Sequence, residues 1–218
     1  MEYKLSPIDR LFHEIKNKRL FFILLSVLLV VGLSWLVLVG KATSFIAMNT
    51  YHATWLDIFF IYYTNVGDGI VALVLAAVYF VGYKKVATGW MLVYAFLLSG
   101  LISQLVKNSM LSPRPKLFFT AGQYLHFIDG VTLSNHFSFP SGHTATTFAV
   151  ATILALRLKA QQGQLFILVT AVTVAYSRVY LGQHFLADIL AGAFIGTLSA
   201  LVSFWAVKNQ YIISFTKK

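Results

Sequence analysis

Three cations in this chain lie beside long apolar runs with few acids near them: Lys107, Arg114 and Arg178. Positive charge next to low-dielectric walls asks for an anion to balance it. Arginine offers a fork of donors that fits phosphate oxygens, and lysine supplies a point charge. Ser141 and Gly142 open another apolar run. If a helix begins there, its free backbone N–H groups and dipole favour an anion, and glycine permits close approach. His184 and Asp188 are spaced i,i+4, so one helix face would carry both. A carboxylate that accepts a proton from one imidazole nitrogen leaves the other free to attack, and it balances charge as a bond forms. His143 is then the candidate general acid for the departing group. The cations would stabilise charge on the equatorial oxygens of a phosphoryl group in transfer. The scheme requires no metal and no cofactor.

These residues must be held by membrane helices. Of 218 residues, 58% are hydrophobic and 11% charged, and the mean hydropathy is +0.76. A water-soluble domain needs more polar surface than that, which points to an all-α bundle in a bilayer. Six apolar segments predict spans at Leu20–Val39, Gly69–Tyr83, Thr88–Val106, Gly142–Leu158, Gln164–Tyr180 and Phe185–Val207. Trp55–Tyr63 belongs to the second span or lies at the interface. The first run is too long for a cleaved leader and reads as a retained span. Residues 1–218 are expected to form a single domain, with no internal repeat. Cysteine is absent, so neither disulfides nor thiolate metal sites can form.

The net charge of +10 reflects membrane topology rather than a nucleic-acid partner, because the basic residues flank apolar runs. With a cytoplasmic N-terminus, 12 of the 17 basic residues fall inside: Lys4, Arg10, Lys16, Lys18, Arg19, Lys84, Lys85, Arg157, Lys159, Lys208, Lys217 and Lys218. Lys41, Lys107, Arg114, Lys116 and Arg178 fall on the other face. That asymmetry predicts both termini inside, and it brings all the chemically suggestive clusters to the non-cytoplasmic face. The connection from Lys107 to Phe139 is broken by Pro113, Pro115, Gly122 and Gly130. Its aromatics, Phe118, Phe119, Tyr124, Phe127, Phe137 and Phe139, are expected on the membrane surface.

The clusters read Lys107, six residues, Arg114-Pro115; Pro140-Ser141-Gly142-His143; and Ser177-Arg178, five residues, His184, three residues, Asp188. This resembles the three-part signature of the type 2 phosphatidic acid phosphatase (PAP2) superfamily, which also holds vanadium haloperoxidases and soluble acid phosphatases. All eleven specified positions match, in order. The resemblance implies a phosphohistidine intermediate at His184, with Asp188 as its partner and His143 as acid. It implies phosphate held by Lys107, Arg114, Ser141, Gly142, Ser177 and Arg178, and hydrolysis without metal. The implied substrate is a phosphorylated lipid, such as undecaprenyl diphosphate, phosphatidylglycerol phosphate, phosphatidic acid or a lipid A phosphate. A bacterial inner membrane is the default location. Two alternatives stay open: a lipid phosphotransferase using the same histidine, and a non-catalytic binder or transporter of lipid phosphates. A haloperoxidase is disfavoured by six spans.

Other residues draw plainer expectations. His126, Asp129 and His136 read as solvated residues of the long connection, with substrate assistance as the sharper alternative. Asp57 and Asp68 fit helix capping or an interfacial position. Gly192 and Gly196 fit close helix packing rather than a dimer contact. His13 and His52 carry no readable signal.

Overall fold

The computed structural model describes residues 6–119, 126–128, 131 and 136–216, side chains excepted at 7 and 210–216. Expectations on Lys4, Gly122, Tyr124, Asp129, Gly130, Lys217 and Lys218 lie outside these residues. The described residues form helices joined by short turns, with no strand among them. An amphipathic helix, α1 (Pro7–Asn17), is capped by Ser6, whose hydroxyl accepts from the Asp9 amide. The sequence reading did not anticipate it. The first apolar run extends well past Val39: α2 covers Arg19–Asn49 and is broken at Gly40, whose φ of 83° favours glycine.

The second apolar region is not a straight helix. It consists of α3 (Thr54–Tyr63), a 3₁₀ turn at Thr64–Gly67 and α4 (Gly69–Ala77), which continues into a π turn at Val78–Gly82. The two halves meet at 55°. Asp68 makes the break, accepting from the Ile70 amide as the N-cap of α4. Trp55–Tyr63 therefore belongs to this bent unit. The remaining helices are α5 (Val86–Ser109), the single turn α6 (Pro115–Phe118), α7 (Gly142–Arg157), α8 (Gln161–Tyr180) and α9 (Leu186–Thr216).

Among the described residues, α2, α5, α8 and α9 are long and apolar enough to cross a membrane, and the bent α3–α4 pair would make a fifth. The fourth expected span, Gly142–Leu158, is present as a helix but a short one. The 16 residues of α7 rise only about 24 Å at the helical pitch. It is also the buried centre of the bundle, packed on α9, α5 and α8, with 11 of its residues buried. By contrast, α2 leaves Val30, Val31, Leu33, Val37 and Leu38 more than half exposed. A continuous apolar face of that kind needs lipid as its solvent.

The α7–α9 contact depends on small residues. A Cβ at Gly192 would sit 2.6 Å from the Ser141 carbonyl oxygen, and one at Gly196 would come closer still to that of Ala145. Both glycines thus pack within the chain, which lets the two helices carrying His143 and Asp188 meet backbone to backbone. At one end of the bundle Lys18 Nζ donates to the Leu158 carbonyl, 2.6 Å. At the other, Asn49 Nδ2 donates to the carbonyls of Val179 and Tyr180, 3.0 and 2.9 Å. The signature residues all gather at this second end.

Candidate active site

The site is assembled from the ends of α5, α7, α8 and α9 and the segments that join them. Ser141 is the N-cap of α7: its hydroxyl oxygen accepts from the Thr144 amide at 3.4 Å and the Thr144 hydroxyl at 2.9 Å. Its amide donates to the Asp188 carbonyl at 3.0 Å, which ties the start of α7 to the start of α9. Gly142 stands next in line. A Cβ there would lie 3.6 Å from Lys107 Nζ, so the lysine ammonium is directly above the N-terminus of α7. Two cationic features, an ammonium and a helix dipole, thus face one spot.

Arg114 and Arg178 complete the positive wall. Arg114 reaches back with Nε to the His136 carbonyl, 3.2 Å, and with Nη1 to the Gln183 carbonyl, 3.4 Å. Arg178 is 6% exposed. Its Nη1 donates to the Thr64 hydroxyl at 2.7 Å, while its Nε is buried with no hydrogen-bond partner among the described residues. A buried guanidinium with an unused donor is expected where a ligand oxygen completes the set. Lys107 interacts electrostatically with Arg114, Arg178 and Asp188, and His143 with Arg178, Lys107, His184 and Asp68. All three cations and both histidines therefore gather within electrostatic reach of one another.

His184 lies in the turn between α8 and α9, held by its amide on the Arg178 carbonyl, 3.1 Å. Its Nδ1 faces Asp188 Oδ2 at 3.3 Å, and both side chains are almost fully buried. The same oxygen, Oδ2, accepts from the Phe185 amide at 2.8 Å and from the Ser138 hydroxyl. Asp188 is thus fixed by two donors before the imidazole is counted. Burial pushes His184 down to about 4, against the opposing pull of its Asp188 hydrogen bond and charge, so the imidazole is neutral near pH 7. A neutral ring whose Nδ1 proton points at a carboxylate presents Nε2 as a lone pair.

Ser177 differs from the other signature residues. Its hydroxyl donates to the Val174 carbonyl of its own helix at 2.6 Å and is fully buried. Four residues enter that the sequence reading did not place at the site. Thr64 holds Arg178, and Ser138 holds Asp188. Asp68 acts on His143. Lys41, just past the Gly40 break, stands 4.0 Å from the centroid of the Phe185 ring. Phe119, expected on the membrane surface, is instead buried against Phe45 and Phe185. Phe45 and Phe185 recruit it because the turn carrying His184 needs an apolar backing.

Residues 88–212 match the family model of the PAP2 superfamily. The chain is 34% identical over 134 residues to lipid phosphate phosphatase 1 of Arabidopsis thaliana, covering 50% of this chain and 41% of that protein. It is 28% identical over 138 residues to phosphatidylglycerophosphatase B of Bacillus subtilis, covering 59% and 62%. Matches to curated relatives span between 16% and 67% of their lengths. Among solved structures, LpxE of Aquifex aeolicus superposes with a TM-score of 0.67 at 27% identity, over 75% of this chain and 93% of that one. With a family match over more than half its length and this shared fold, the chain belongs to the PAP2 superfamily as an integral membrane protein.

Proposed function

We propose that this protein is a membrane lipid phosphatase that removes a phosphate from a lipid headgroup through a covalent intermediate on His184. The observation that carries the reading is the convergence of these groups at one end of the bundle. His184, backed by a fixed Asp188, lies within electrostatic reach of Arg114 and Arg178, and Lys107 stands over the N-terminus of α7. In the proposed reaction the headgroup phosphorus is attacked by His184 Nε2. The equatorial oxygens are bound by Lys107, Arg114, Arg178 and the amides near Gly142. His143 gives a proton to the departing alkoxide or phosphate, and water then cleaves the phosphohistidine with His143 as base. Ser141 acts as the cap that fixes those amides, and Ser177 fixes the helix end that carries Arg178. No step uses a metal.

An apolar groove supports an amphiphilic substrate. It is lined by Leu29, Leu33, Leu36, Phe139, Leu190 and Phe194, and Phe139 directly precedes Pro140-Ser141-Gly142-His143. A lipid chain in this groove would place its headgroup beside the start of α7. We also propose that residues 1–218 act as one domain crossing a bacterial inner membrane six times, with both termini cytoplasmic and the pocket outside. Undecaprenyl diphosphate, phosphatidylglycerol phosphate, phosphatidic acid and lipid A phosphate are the substrates to test. Purified protein in detergent with chelator present should release phosphate from at least one of them, and His184→Ala should not. Transfer of phosphate to an acceptor lipid without free phosphate would instead establish a phosphotransferase. Binding without turnover would establish a binder.

A further inference from the structure

A second cluster of ligating side chains lies outside the signature. His52 sits in the link between α2 and α3, Asp57 on the first turns of α3, and His126 in the long connection before α7. His52 Nδ1 is 3.3 Å from Asp57 Oδ1, and His126 Nε2 is 3.3 Å from Asp57 Oδ2. The three residues can offer one ligand atom each, all within 4.8 Å of one another. None of them is used by the phosphoryl pocket. Asp57, expected as a cap or interfacial residue, makes no cap hydrogen bond, and His126 is turned inward, with 31% of its side chain exposed.

We infer that His52, Asp57 and His126 form a binding site for a divalent ion of the zinc class, which fastens the long connection to α3. The spacing fits. Two ligands each about 2.05 Å from a tetrahedral ion lie about 3.3 Å apart. The two imidazole rings lie together over this one carboxylate, with centroids 3.9 Å apart, so a nitrogen of each and an oxygen of Asp57 can face one ion. Two nitrogens and one carboxylate oxygen are a zinc donor set, with the fourth position left to water. The orienting partner is present as well: the Tyr180 hydroxyl donates to Asp57 Oδ1, as outer groups do around ligating carboxylates.

The position gives the ion a purpose. Tyr180 ends α8, two residues beyond Arg178. Phe127, beside His126, lies against Gly182, where a Cβ would meet its ring at 3.4 Å. Ile128 and Val131 pack on Phe60, Tyr180 and Leu181. The ion therefore clamps the connection onto the turn that leads to His184.

The test is zinc binding by the full chain in detergent, measured by dialysis and elemental analysis. Wild type should hold about one zinc per chain and gain melting temperature on zinc addition. His126→Gln and Asp57→Asn should lose both properties, while His13→Gln keeps them. His126 is the decisive position: it is partly exposed, so its variant should melt as wild type does without zinc. Wild type without stoichiometric zinc, or His126→Gln retaining it, overturns the inference. The readout is metal bound, not phosphate released, so it stands or falls separately from the proposed reaction.

Discussion

Asp188→Asn separates two roles that the geometry gives one carboxylate. Oδ2 accepts from the Phe185 amide and the Ser138 hydroxyl as well as facing His184 Nδ1. In the asparagine variant those two fixed donors orient the amide so that its carbonyl takes the Oδ2 position. The Nδ1 proton then still has an acceptor, Nε2 remains the lone pair, and only the negative charge is lost. That charge matters when His184 becomes cationic in the proposed covalent step. A hydrogen bond to a charged group is worth about 1.5–3 kcal/mol, so kcat should fall by about 10- to 150-fold, with KM little changed. Asp188→Ala instead strands the Phe185 amide and the imidazole proton in a buried site, at about 1–3 kcal/mol each. It should lose far more activity and also melt earlier. Phosphate release under saturating lipid, with melting followed by circular dichroism, measures both. The reasoning is refuted if asparagine falls to the level of alanine with an unchanged melting temperature, or if asparagine is as active as wild type.

Other consequences can be checked in the same preparation. Thr64→Val removes the acceptor for Arg178 Nη1; the variant should be destabilised by about 1.5–3 kcal/mol, and added phosphate should recover part of that in a melting experiment. With His184 at about 4, the nucleophile is neutral above that pH and protonated below it. The kcat/KM profile, corrected for ionisation of the lipid phosphate, should therefore show no loss from this group until near pH 4; an acid limb near 6.5 that moves with Asp188→Asn would contradict it. Gly192→Ala forces a Cβ to within 2.6 Å of the Ser141 carbonyl and should cost about 1–3 kcal/mol in stability, with activity falling because α7 and α9 part. Ser138→Ala leaves one acceptor site on Asp188 unfilled and should lower kcat by about 3- to 10-fold, in line with a hydrogen bond worth about 1 kcal/mol.

The signature residues were legible because each sits at a fixed offset from a helix end, and apolar runs mark helix ends well. Asp188 and His184 could be paired from spacing alone, and the convergence of Lys107, Ser141 and Arg178 followed from hydropathy. The bend at Asp68 was less visible, since Trp55–Tyr63 and the run after Gly69 are both apolar and only a capping aspartate divides them. Thr64 and Ser138 could not be read: a hydroxyl becomes a partner for Arg178 or Asp188 through contacts 114 and 50 residues apart, with no periodic trace. The same holds for His52 and His126, brought into ring contact by the fold. The shortness of α7 was not legible either, because a helix wrapped by its neighbours need not match the bilayer thickness that sets the length of lipid-exposed spans.

The central claim is the covalent step at His184, and the most direct measurement is to trap it. Protein mixed with a radiolabelled lipid phosphate and quenched in alkali should carry label on a peptide containing His184, acid-labile and alkali-stable, and absent from His184→Ala. Turnover of the lipid with no label on the wild-type protein, or label that survives in His184→Ala, would contradict the account.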